Sequence, residues 1–154
     1  MALDPSPRRG DRTAPPPPVN AECDHEHERP LILLVDDFED ALAIYALYLD
    51  QCGYRVVMAR NGDEAVKAAQ VHRPRLILLD LQMPVMSGTE ALRILRDDPS
   101  FAQVPIVALT AHALDGERVQ ALAAGFDRVI CKPCLPDELV GIVRHYLPAQ
   151  AAAS

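Results

Sequence analysis

Four short apolar runs constrain this chain more than any other feature, because each stops at a residue with chemistry. LILLV (31–35) runs into Asp36-Asp37, LILL (76–79) into Asp80, IVAL (106–109) into Thr110, and RVIC (128–131) into Lys132-Pro133. Runs this short, rich in Leu, Ile and Val and free of polar interruption, read as strands buried on both faces. Buried parallel strands bring their C-terminal ends to one edge of a sheet, where α/β proteins bind ligands. Three carboxylates, a hydroxyl and an ammonium are therefore expected in one crevice, a place to hold a divalent cation and receive a phosphoryl group.

Between the runs the period changes from strand to helix. A first helix is expected to run through Cys52, with Ala41, Ile44, Tyr45, Tyr48 and Leu49 at helical spacing and Gly53 as its cap. A second strand is expected over 54–58, then a turn at Asn61-Gly62 and a helix over 63–72 with Ala65, Val66 and Ala69 inward. Further helices are expected over 89–96 and 116–124, and from Pro136, a favourable first-turn residue, to Pro148. Five alternations of β and α with short connections predict a five-stranded parallel sheet with helices on both faces, a (βα)5 doubly wound α/β sandwich.

The first 30 residues differ. They hold Pro5, Pro7, the run Pro15 to Pro18 and Pro30, with few apolar side chains, and read as a disordered tail. The folded domain is expected over 31–147, followed by a short tail over 148–154. The cluster Cys23-Asp24-His25-Glu26-His27-Glu28 invites a metal reading, but its spacing matches no closed zinc site. No apolar run approaches the ~18 residues of a membrane span, and no signal core opens the chain, so a reducing cytoplasm is the expected compartment. A formal charge of −7 with no basic patch argues against nucleic acid as a partner.

Each strand end has a plain reading beside the chemical one. Asp36-Asp37 suits the dipole of a following helix, and it also suits Mg2+, which takes one or two carboxylates and keeps several waters. Asp80 precedes a loop shaped by Pro84 and Gly88, and an aspartate there is a candidate nucleophile for an acyl phosphate. Phosphoryl transfer asks the protein mainly for alignment and charge neutralisation, which a cation on Asp37 and Asp80 with Lys132 opposite would supply. Thr110 could hydrogen-bond a phosphoryl oxygen, or be only a β-branched strand residue.

ILLVDD (32–37), LILLDLQMPVMSGTE (76–90), PIVALTAHA (105–113) and AAGFDRVICKP (123–133), in this order on these elements, resemble the receiver domain of two-component response regulators, and are similar to its stand-alone chemotaxis-type members. The resemblance covers 31–147 and implies a flavodoxin-like fold. It implies phosphorylation of Asp80 by a histidine kinase or histidine phosphotransfer protein. It implies Mg2+ held by Asp37, Asp80 and the Gln82 backbone carbonyl, with Asp36 assisting through water. Lys132 would contact the phosphoryl group, the Lys132-Pro133 bond would be cis, and Thr110 would be the switch hydroxyl. Such a chain signals through a protein surface to a downstream partner that the sequence does not name, rather than turning over a substrate. Pairing of two copies through a helical face is left open.

One departure stands out. Many receivers carry Tyr or Phe three residues before the lysine, and here that position is Val129, so a muted conformational response is expected. Gln82 and His112 border the path of the hydrolytic water by analogy. Two other classes compete with this one and fit the residues less well. A haloacid-dehalogenase-type phosphatase would need a D-x-D nucleophile on the first strand, and a thioredoxin-like redox pair would use Cys131 and Cys134.

Overall fold

The computed structural model describes residues 29–83, 85–111 and 115–148. The strands are β1 (Leu31–Val35), β2 (Arg55–Ala59), β3 (Leu76–Asp80), β4 (Ile106–Thr110) and β5 (Arg128–Cys131). The helices are α1 (Glu39–Gln51), α2 (Gly62–His72), α3 (Gly88–Asp97), α4 (Asp115–Ala124) and α5 (Pro136–Tyr146). All strand pairs are parallel, in the order β2-β1-β3-β4-β5. The order reverses between β1 and β3, so these two strands flank the switch point where such sheets open a crevice. Their C-terminal ends carry Asp36, Asp37 and Asp80.

Alternation along each strand builds two cores. Leu33, Val35, Ile77, Leu79, Ile106 and Ala108 face one layer, with Ala65 and Ala69 of α2 and Leu92 and Leu95 of α3. Ile32, Leu34, Leu76, Leu78, Val107 and Leu109 face the other, with Leu42, Tyr45 and Leu49 of α1 and Leu139 and Val143 of α5. Every residue of β1, β3 and β4 is buried, as uninterrupted apolar runs require.

The helices begin where side chains can replace missing backbone partners. Asn61 accepts the Glu64 N–H and so caps α2, with Gly62 its first residue. The expected Asn61-Gly62 turn is thus a helix start. Ser87 and Glu90 form a reciprocal capping box on α3. Gly53, with φ of 98°, leaves α1 in a left-handed conformation that costs a glycine little.

The face of α1 is a correction. Its buried residues are Leu42, Tyr45 and Leu49, whereas Ile44 is 50 % and Tyr48 39 % exposed. The segment ALAIYALYL is apolar nearly all round, so spacing alone does not choose which stripe meets the sheet. A 3₁₀ turn at Pro99–Phe101 was not expected; Asp98 caps it and Phe101 plugs the core. Arg29 and Pro30, which the sequence places in the proline-rich tail, are bonded to this body: Arg29 Nη2 donates to the carbonyls of Asp50 and Tyr54, and the Pro30 carbonyl accepts from Arg55 N–H.

Candidate functional site

Strand ends assemble the crevice from four distant stretches. Asp36 follows β1 with no exposed surface, and its N–H donates to Ala59 of β2 at 3.1 Å. Its Oδ1 accepts the Phe38 N–H at 3.0 Å, and its Oδ2 accepts from Lys132 Nζ at 2.9 Å. Asp80 is the last residue of β3 and is also buried. Its Oδ1 accepts the Gln82 N–H at 3.1 Å, and its Oδ2 accepts from Lys132 Nζ at 3.2 Å. Asp37 is exposed at the mouth. Carboxylate oxygens of Asp36, Asp37 and Asp80 lie within 4.8 Å of one another, and no other such grouping occurs among the described residues.

The Lys132 backbone is tied to β4, its N–H donating to the Thr110 carbonyl at 2.7 Å. The Lys132-Pro133 bond is cis. Thr110, at the end of β4, is buried and lines a cleft of ≈180 Å³ with Gln82, Thr89, Gln120 and Ala121. The structure therefore brings Asp36, Asp37, Asp80, Thr110 and Lys132 to one edge, as expected. Asp36 differs in detail, because it is a direct partner of Lys132. His112 lies outside the described residues, as does the Cys23–Glu28 cluster.

The charges do not cancel. Three carboxylates face one ammonium. Burial pushes the Asp80 carboxyl up from 3.8 to about 6; the Gln82 N–H and the Lys132 charge pull the other way, while Asp36 pushes further up. Burial pulls the Lys132 ammonium down, but the Asp36 hydrogen bond and the Asp80 charge outweigh it and hold it above its ordinary value. Both partners rise because they answer to different neighbours: Lys132 leans on Asp36, and Asp80 bears the desolvation. A hard, all-oxygen donor set with surplus negative charge is what Mg2+ prefers, so the residues fit that ion.

Two glycines meet the β3–α3 loop, Gly88 at its end and Gly62 from the start of α2. At Gly88 a Cβ would collide with the Asp80 carbonyl, and at Gly62 one would lie 2.6 Å from the Met86 carbonyl. Both glycines donate across the loop instead, Gly88 to Leu81 and Gly62 to Met86. Between them Val85 sits at φ of 70°, a costly region for a β-branched residue. A glycine opening a helix just after a functional strand end was the available signal.

The remaining positions are quieter. Val129 is buried in the core layer that also holds Ala121 and Phe126, and its own side chain carries no ring. Cys131 is exposed and Cys134 buried; burial pushes the Cys134 thiol up, opposite to what a reactive redox thiol needs. No described helix is long and apolar enough to cross a membrane.

A sequence profile described as the response regulator receiver domain matches residues 32–144. The chain belongs to the response regulator receiver family. The receiver is 39 % identical to response regulator Rre1 of Synechocystis over 80 % of this chain, but spans only 54 % of that protein. It is 33 % identical to the polar-differentiation response regulator DivK of Brucella anthropi over 75 % of this chain and 94 % of that one. Among solved structures, chemotaxis response regulator CheY4 of Vibrio cholerae superposes with a TM-score of 0.73 at 29 % identity, over 77 % of this chain and 98 % of that chain. The receiver domain of the histidine kinase PA1611 from Pseudomonas aeruginosa, solved with a magnesium ion in its active-site cleft, gives 0.72 at 36 % identity over 79 % and 99 %. The receiver is thus a two-component signalling domain with the flavodoxin-like doubly wound fold, and its acidic cluster is compatible with Mg2+.

Proposed function

We propose that this receiver accepts a phosphoryl group on Asp80 from a histidine kinase or histidine phosphotransfer protein and passes the signal to a protein partner through its surface. The observation that carries the reading is the Lys132 ammonium within hydrogen-bonding reach of two buried carboxylates from different strands, beside a third carboxylate at the mouth. Asp80 is the nucleophile on this reading. Its Oδ1 is aimed by the Gln82 N–H, and Lys132 shares its charge between Asp36 and Asp80.

Asp36, Asp37, Asp80 and the Gln82 backbone carbonyl would hold Mg2+, with Asp36 contributing through water. The ion supplies neutralisation of the carboxylates and of the incoming phosphoryl oxygens. An Asp80 oxygen bonds to phosphorus as the phosphorus–nitrogen bond of the donor phosphohistidine breaks, and the imidazole keeps that electron pair. Lys132 then holds the new phosphoryl oxygens in place of the Asp80 carboxylate, and Thr110 is the hydroxyl that follows them. Water attacking the phosphorus breaks its bond to the Asp80 oxygen, releases inorganic phosphate and returns Asp80 to its carboxylate, so the cycle is a timed signal rather than turnover of a substrate. A cytoplasmic setting suits these partners.

Incubation with acetyl phosphate tests the reading. It predicts Mg2+-dependent gain of one phosphoryl group, abolished by chelation and by Asp80→Asn. Catalytic turnover of small phosphate esters would favour a phosphatase instead.

A further inference from the structure

The segment that follows Lys132 has a tie outside the crevice. Tyr45 lies in the middle of α1, 8 % exposed, packed with Leu42, Leu49 and the α5 residues Leu139 and Val143. An apolar ring would serve that packing alone, so the hydroxyl is surplus to it. That hydroxyl donates to the Cys134 carbonyl at 2.8 Å, across 89 residues of sequence. Cys134 is two residues after Lys132, and its carbonyl lies ahead of α5, outside the helical ladder. The Lys132-Pro133-Cys134 segment is thereby held at both ends, by the Thr110 carbonyl on Lys132 N–H and by Tyr45 on Cys134.

We propose that Tyr45 is a positioning residue for Lys132: its hydroxyl ties the lysine's loop to the helix that grows from the Asp36-Asp37 corner. This inference rests on the phosphoryl-transfer reading of the site, and it adds a part to it. Lys132 must meet carboxylates from β1 and β3 at 2.9 and 3.2 Å, so a loop free to drift would lose one of them. A rigid side chain with two torsions, rooted in a packed helix, removes that drift. Burial pushes the Tyr45 phenol above its ordinary value, so it stays protonated and donates throughout the working pH range.

The molecule contains its own control. Tyr54 is buried in the same layer, and its hydroxyl donates to the Leu147 carbonyl at 2.6 Å, just beyond the far end of α5. Tyr45→Phe and Tyr54→Phe each delete one buried hydroxyl bond near opposite ends of that helix. Only the first is expected to disturb Lys132.

Two measurements on the full chain decide it. In the unphosphorylated protein, Tyr45→Phe is expected to move the Lys132 side-chain Nζ and Cε resonances, and Tyr54→Phe to leave them in place. Unchanged Lys132 resonances in Tyr45→Phe, or equal changes in both variants, would overturn the proposal whether or not Asp80 accepts phosphate. In the second, phosphorylation by acetyl phosphate is expected to slow roughly tenfold in Tyr45→Phe, the order expected for a misplaced catalytic contact. It should not slow further when Tyr45→Phe is added to Lys132→Ala. An equal slowing in both backgrounds would show that Tyr45 acts through general stability and not through Lys132. If wild-type protein takes no label at all, the phosphoryl reading fails, and the resonance comparison still judges the Tyr45 anchor.

Discussion

Asp80 is a carboxylate that the fold makes uncomfortable. Unfolded it ionises near 3.8, and folded near 6. The folded, metal-free protein therefore holds this proton more tightly. The stability linked to that proton is fully present below 3.8 and is lost as pH rises to about 6, above which the fold bears the whole cost of the buried charge. Asp80→Asn removes that cost, so in chelator at pH 7 the variant should melt at a higher temperature than wild type. The gain should be on the order of 1–3 kcal/mol and should shrink as pH falls below about 5, measured by thermal unfolding across pH. A variant less stable than wild type at pH 7 would contradict the electrostatic account. Lys132→Ala works the other way: it leaves Asp36 and Asp80 facing each other without their shared ammonium. It should destabilise the metal-free protein by about 3 kcal/mol, since breaking a buried pair strands a charge, and Mg2+ should restore part of the loss. Denaturant unfolding with and without Mg2+ checks this.

Among the elements, the β3–α3 loop is where backbone geometry serves the site. Val85 holds a left-handed φ that a β-branched residue adopts only under constraint from its neighbours. Asparagine tolerates that region better, so Val85→Asn should raise stability by about 1 kcal/mol in denaturant unfolding. Gly88→Ala should do the reverse, because the added carbon meets the Asp80 carbonyl, a backbone atom that cannot step aside. These constraints mark the limit of what the chain discloses by itself. The strands were legible because LILLV, LILL and IVAL have no polar face to misread, and their end residues followed from that. The α1 face was not legible, because a helix apolar on most sides gives spacing nothing to select. Asp36 pairing directly with Lys132 was not legible either, since it depends on how sharply the chain turns after Val35. Tyr45 read as core and nothing more, because its hydroxyl finds its acceptor 89 residues away.

At the scale of the described body, one five-stranded sheet lies between two helical layers with the candidate site at one edge, so on the proposed reading the signal travels by repacking near Thr110 and α4. Val129 fills the place where the resemblance leads one to expect a ring, and it is buried in the same core layer as Ala121 and Phe126. Amide chemical-shift mapping with a beryllofluoride mimic should therefore show large changes at the crevice and only small ones over α4, β5 and α5; a large rearrangement confined to that face would count against the muted switch. The central claim is more basic: that Asp36, Asp37, Asp80 and Lys132 together make Asp80 the phosphoryl acceptor. After Mg2+ and acetyl phosphate, borohydride converts an acyl-phosphorylated aspartate to homoserine, which peptide mass spectrometry locates. The account predicts homoserine at position 80 and nowhere else, and homoserine at another carboxylate, or at none, would contradict it.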